Sequence, residues 1–139
     1  MRIMAIDYGD AHTGIAVSDP TGFLAGFTTV ITAYRPETVA QQVADLAKEH
    51  GAEELVLGHP KNMDGTRGPR AEKAEAMAEL LKEATGLPVV LWDERRTTID
   101  AHQILMTGGK NAKKRKKVVD AVAASLILEG YLTFKKSHL

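Results

Sequence analysis

An α/β fold built on a five-stranded mixed sheet flanked by helices is what this 139-residue sequence predicts, and three observations carry that prediction. Three strand-like runs come first, at 2–8, 14–18 and 23–31. Helix-like and strand-like segments then alternate. The later strand candidates, 54–58 and 88–92, are continuously apolar rather than alternating, as expected of parallel strands covered on both faces.

Residues 2–8 end at Asp7-Tyr8-Gly9, and Gly14-Ile15-Ala16-Val17-Ser18 resumes an extended pattern after a Gly-bounded turn, which is a hairpin signature. Phe23 to Ile31, β-branched and apolar between Gly22 and Pro36, suits a third antiparallel strand. Pro36 opens a helix in which Val39, Val43, Leu46 and Ala47 recur at helical spacing, and Gly51 stops it. Glu54-Leu55-Val56-Leu57-Gly58 follows as a buried strand. A second helix begins around Pro69, carries Ala74, Met77, Leu80 and Leu81 on one face, and ends at Gly86. After the strand at 88–92, Thr97 or Thr98 can cap a helix reaching about Met106. A basic loop then leads into a last helix near Val118 to Thr133. The meander and the helical crossovers together give antiparallel and parallel pairings in one sheet.

A chain of this length, 44% hydrophobic and 5% aromatic, buries one sizeable core, so residues 1–139 are expected to form one domain. The absence of Cys removes disulfides and thiolate metal sites, leaving oxygen or imidazole as the donors for any metal. The N-terminus meets Asp7 too early for a signal peptide or a membrane span, and a soluble, cytoplasmic protein with no membrane partner is expected. Net charge is zero, yet from Lys110 onward eight basic residues stand against two acidic ones, a net +6 that the preceding residues balance. Such a concentration is an electrostatic footprint for nucleic acid.

Asp7 ends the first strand, where the ligand crevice of an α/β sheet lies, and can hold a metal; it can equally make a local turn into Tyr8-Gly9. Asp120 interrupts a helix that is apolar almost all round. A carboxylate there requires a partner, either a cation or the basic side chains Arg115 to Lys117 one turn earlier. Asp93 and Glu94 end the strand at 88–92, and alternation lets only one of them face the same crevice as Asp7; salt bridges with Arg95 and Arg96 are their other use. Three converging carboxylates describe a site for Mg²⁺ or Mn²⁺. Two such hard cations, about 4 Å apart, would support in-line phosphodiester cleavage. Phosphate contacts are available from Arg67, Arg70 and Lys73 at the second helix, from Arg95 and Arg96, and from Lys113, Lys114, Arg115, Lys116 and Lys117 beside Asp120.

Four ordered motifs go further. Ala5-Ile6-Asp7-Tyr8-Gly9 continuing to Gly14-Ile15-Ala16-Val17-Ser18-Asp19 resembles the first motif of the YqgF family. Gly58-His59-Pro60-Lys61-Asn62-Met63-Asp64-Gly65 with Gly68-Pro69-Arg70-Ala71, Asp93-Glu94-Arg95-Arg96-Thr97-Thr98, and Val118-Val119-Asp120-Ala121 resemble the others, in order and over essentially the full length. The resemblance implies a ribonuclease H-like fold related to Holliday-junction resolvases, and a metal-dependent nuclease that matures the 5′ end of 16S ribosomal RNA. It points to Asp7, Glu94 and Asp120 as catalytic and metal-holding residues, with Asp93 the alternative to Glu94. Four-way DNA is the other substrate to consider, acting as monomer or homodimer, and a noncatalytic RNA-binding assembly factor is the blander reading.

Overall fold

The computed structural model describes residues 1–19, 25–61, 64–93 and 112–137, with the side chains of 25, 112–120 and 137 outside the description. Strands β1 (Ile3–Asp7), β2 (His12–Ser18) and β3 (Ala25–Thr32) are followed by α1 (Pro36–His50), β4 (Glu54–His59), α2 (Pro69–Thr85), β5 (Val89–Asp93) and α3 (Ala112–Ser137). The five strands form one sheet in the order β3-β2-β1-β4-β5. β1 pairs antiparallel with β2, and β2 with β3; β1 pairs parallel with β4, and β4 with β5. This is the predicted mixed sheet. The helix expected at 97–106 lies outside the described residues.

Punctuation sets the helix ends. Proline opens both α1 and α2, where its missing N–H costs no hydrogen bond, and Gly51 and Gly86 close them in the left-handed region, each at φ 69°. Beyond α1, the Gly51 N–H donates to the Lys48 carbonyl and the Ala52 N–H to that of Ala47. The sheet buries a different core on each side. Met4, Ile6, Ile15, Val17, Leu55 and Leu57 pack under α1 and α2, against Val39, Val43, Met77 and Leu81. Ile3, Ala5, Ala16 and Val56 alternate with them and pack under α3, against Ala124, Ile127, Leu128, Tyr131 and Leu132.

One expectation is corrected. The basic run is not a loop: α3 begins at Ala112, six residues before the predicted start, and continues to Ser137. Lys and Arg are good helix formers, and extending an existing helix fixes one residue for each new hydrogen bond, so a helix anchored by its buried middle propagates backward through them. At its other end Tyr131 Oη donates to Glu54 Oε1 at 2.8 Å and Lys135 Nζ to Glu54 Oε2 at 2.8 Å, tying α3 to the start of β4. Burial, with the Glu54 carboxylate beside it, pushes the Tyr131 hydroxyl well above its ordinary range, so it stays a donor. Gly130 lets the helix approach closely, because a Cβ there would stand 3.3 Å from Trp92 Cζ2, and the Trp92 ring meets Tyr131 and Phe134 edge-on at 5.9 and 5.7 Å.

Candidate nuclease site at the sheet edge

Because β1, β4 and β5 are parallel, their carboxyl ends share one edge, where Asp7, His59 and Asp93 are the terminal residues. The β1–β2 turn and the first turns of α2 border that edge. Gly9 shapes the turn: a Cβ on it would overlap the His12 carbonyl, so the chain doubles back more tightly than any other residue permits.

Asp7 follows Ile3 and Ala5 in alternation and therefore belongs to the α3 side of the sheet, directly across from Gly14 of β2. It is half-buried, and among the described residues its carboxylate has neither a hydrogen-bond nor an ion-pair partner. The local-turn use of Asp7 is thus not what the structure contains. Asp93 lies differently. Val90 and Trp92 pack on the α3 side and Val89 on the other, so alternation assigns Asp93 to the α1/α2 side, beside His59. Asp7 and Asp93 share an edge but not a face. Glu94 lies outside the described residues, as do Arg95 and Arg96. Position 120 is helical and falls one turn before Ala124 on the stripe that continues through Ile127, Leu128 and Tyr131. Among the described residues no three His, Asp or Glu side chains gather closely enough to hold a metal ion.

The predicted phosphate contacts divide. Lys113 to Lys117 occupy the first turns of α3. Arg70 is exposed and has no ion pair among the described residues, whereas Lys73 Nζ donates to Asp10 Oδ1 at 3.0 Å. Arg67 is already committed: its Nε and Nη2 reach the two Glu75 oxygens at 2.7 and 2.6 Å. His59 Nε2 lies 2.8 Å from the same carboxylate. Glu75 gives no periodic signal in the sequence, because its partners lie eight and sixteen residues away.

The Arg67 fork, and after it His59, hold the Glu75 carboxyl down to about 2 from an ordinary 4.5. Since the folded value is the depressed one, the stabilisation is complete above about pH 4.5 and disappears as pH falls through about 2. Chemical denaturation across that range is expected to show the stability gap between the wild type and Glu75→Gln closing toward pH 2. A gap that stayed constant would mean the pair contributes no charge-dependent stability.

The family described as RuvX, Holliday junction resolvase, matches residues 1–134. A protein of Halothermothrix orenii, provisionally named as a pre-16S rRNA nuclease, is 44% identical over 135 residues, covering 97% of this chain and 96% of that protein. One from Listeria innocua with the same provisional name is 46% identical over 134 residues, covering 95% and 97%. Among solved structures, Thermus thermophilus RuvC in complex with a Holliday junction substrate superposes with a TM-score of 0.65 at 14% identity, covering 99% of this chain and 96% of that one, and so shares the ribonuclease H-like fold. A shared fold and motifs matched along nearly the whole length lead to one conclusion: the chain belongs to the RuvX/YqgF family of nucleases.

Proposed function

We propose that the chain is a metal-dependent endonuclease that hydrolyses phosphodiester bonds during 5′-end maturation of precursor 16S ribosomal RNA in the cytoplasm, as one nuclease domain spanning residues 1–139. The observation that carries this reading is the half-buried Asp7 carboxylate, without a protein partner among the described residues, at the carboxyl end of β1. An oxygen donor left open at a strand end fits a hard divalent cation, Mg²⁺ or Mn²⁺.

Asp7, Glu94 and Asp120 would hold the metal. Three features support that set. Asp93 belongs to the opposite sheet face from Asp7, which favours Glu94. Position 120 shares the sheet-facing stripe of α3. It also stands eleven residues before Tyr131, about 16 Å of helix, and Tyr131 is tied to Glu54, the register partner of Ile3. From Ile3 the strand runs about 13 Å to Asp7, so the helix is long enough to bring position 120 to the same edge. A bound divalent cation supplies a more acidic water and neutralises charge building on the departing oxygen. The carboxylates orient it, and Arg70 with the basic first turns of α3 position the phosphate backbone.

Purified protein with Mg²⁺ or Mn²⁺ is expected to cut precursor 16S RNA and to stop when the metal is chelated; cleavage undiminished by chelation would overturn the proposal. The family description favours one second reading, resolution of four-way DNA junctions, and competition between a junction and precursor RNA at matched salt decides between them.

A further inference from the structure

Two cavities open side by side at the sheet edge, sharing a wall made of Tyr8, Asp10 and Lys73. One, of about 240 Å³, lies over the β1–β2 turn and is lined by Arg70 and His12 as well. Its neighbour, of about 220 Å³, is floored by Met77 and Leu80, with Tyr34 at its side. Tyr34 is 76% exposed and, among the described residues, without an aromatic or polar partner.

From this juxtaposition we infer that the paired cavities are a subsite for one unpaired nucleotide at the sheet edge that carries the proposed metal site, its phosphate held by Arg70 and Lys73 and its base stacked against Tyr34. The inference rests on the nucleic-acid reading above and adds the form of substrate that reading leaves open. The chemistry is matched cavity by cavity. Arg70 offers a fork that is unpaired among the described residues and suited to phosphate, and the opening turn of α2 that carries it favours an anion. The Lys73–Asp10 pair has side chains 58% and 83% exposed, so water already screens it and Lys73 can exchange Asp10 for a phosphate oxygen at little cost. The second cavity has an apolar floor and an exposed ring, a surface on which any base can stack. Tyr8 directly follows Asp7 in the chain but packs toward α1 and α2, so the cavities share the sheet edge of the proposed metal site and lie on its other face.

The motifs contain Tyr8 and Arg70, but no local pattern joins them to Tyr34. Tyr34 lies in the short link between β3 and α1, and Arg70 lies on α2, thirty-six residues later.

The test is equilibrium binding of RNA hairpins carrying a 2-aminopurine in a single-stranded tail, with metal chelated so that nothing is hydrolysed. The wild type is expected to quench the probe and to bind the tailed hairpin more tightly than a blunt one. Tyr34→Ala should weaken tailed binding about tenfold and abolish quenching, while Tyr34→Phe keeps both. Arg70→Ala should weaken binding and lower the salt slope by about one. Asp10→Asn, which releases Lys73 and removes a repelling charge, should tighten it several-fold, a gain that a purely structural role would not produce. Matched ribose and deoxyribose tails distinguish the two sources of such a nucleotide. Equal affinity for tailed and blunt hairpins, or unchanged quenching in Tyr34→Ala, would overturn the subsite. Because the readout needs no cleavage, a protein that stacks the tail but never cuts precursor RNA refutes the nuclease reading alone, and one that cuts RNA but ignores the tail refutes the subsite alone.

Discussion

Asp7→Asn is expected to lower kcat for cleavage by about a thousandfold, or about 4 kcal/mol of lost transition-state stabilisation, with Tm changed by no more than about 2 °C. The amide keeps the shape of the carboxylate but not its charge, and it is a poor ligand for a hard cation. Stability should hold because the native carboxylate has no hydrogen bond or ion pair among the described residues to lose. Raising Mg²⁺ should recover only part of the rate, since a weakened ligand set costs orientation as well as affinity. Asp93→Asn serves as the internal control. It ends a neighbouring parallel strand but belongs to the other face of the sheet, so its kcat should stay within about threefold of the wild type, far inside the span of a lost transition-state contact. Equal losses in the two variants would mean that the edge, rather than one face of it, carries the chemistry. Full activity in Asp7→Asn would remove the metal site altogether.

That control was available from the structure and only half available from the sequence. Alternation made it clear that Asp93 and Glu94 diverge, but choosing between them required knowing that Val90 and Trp92 pack under α3. The elements themselves were readable because local chemistry punctuates them: Pro36 with Gly51, and Pro69 with Gly86, bound the first two helices in the structure as they do in the pattern. The start of α3 was not, because a Lys/Arg run looks like a solvated loop when charge is weighed alone, although its backbone propensity is helical. The Arg67–Glu75–His59 cluster was hidden for another reason. Its members come from a loop, a helix and a strand end, and only the crossover from β4 to α2 brings them together.

Leu57→Ala is expected to cost about 3 kcal/mol of folding free energy, against less than about 1 kcal/mol for Leu91→Ala, measured by urea denaturation. The two leucines are register partners on neighbouring strands, so residue type and local pairing are held constant. What differs is the surroundings. Leu57 is fully buried in the core beneath α1 and α2, and truncation leaves a void that close packing fills only in part. Leu91, on the edge strand, is 39% exposed in the structure and gives up little contact. A loss of about 3 kcal/mol is a large share of the 5–15 kcal/mol typical of a domain, so Leu57→Ala should also lose activity at temperatures the wild type tolerates. The link to function is positional: β4 stands between β1 and β5, and a loosened β4 frees the strand ends that carry Asp7 and Asp93 to shift against each other. Costs that matched in the two variants would show that burial beneath α1 and α2 does not set the stability of this sheet.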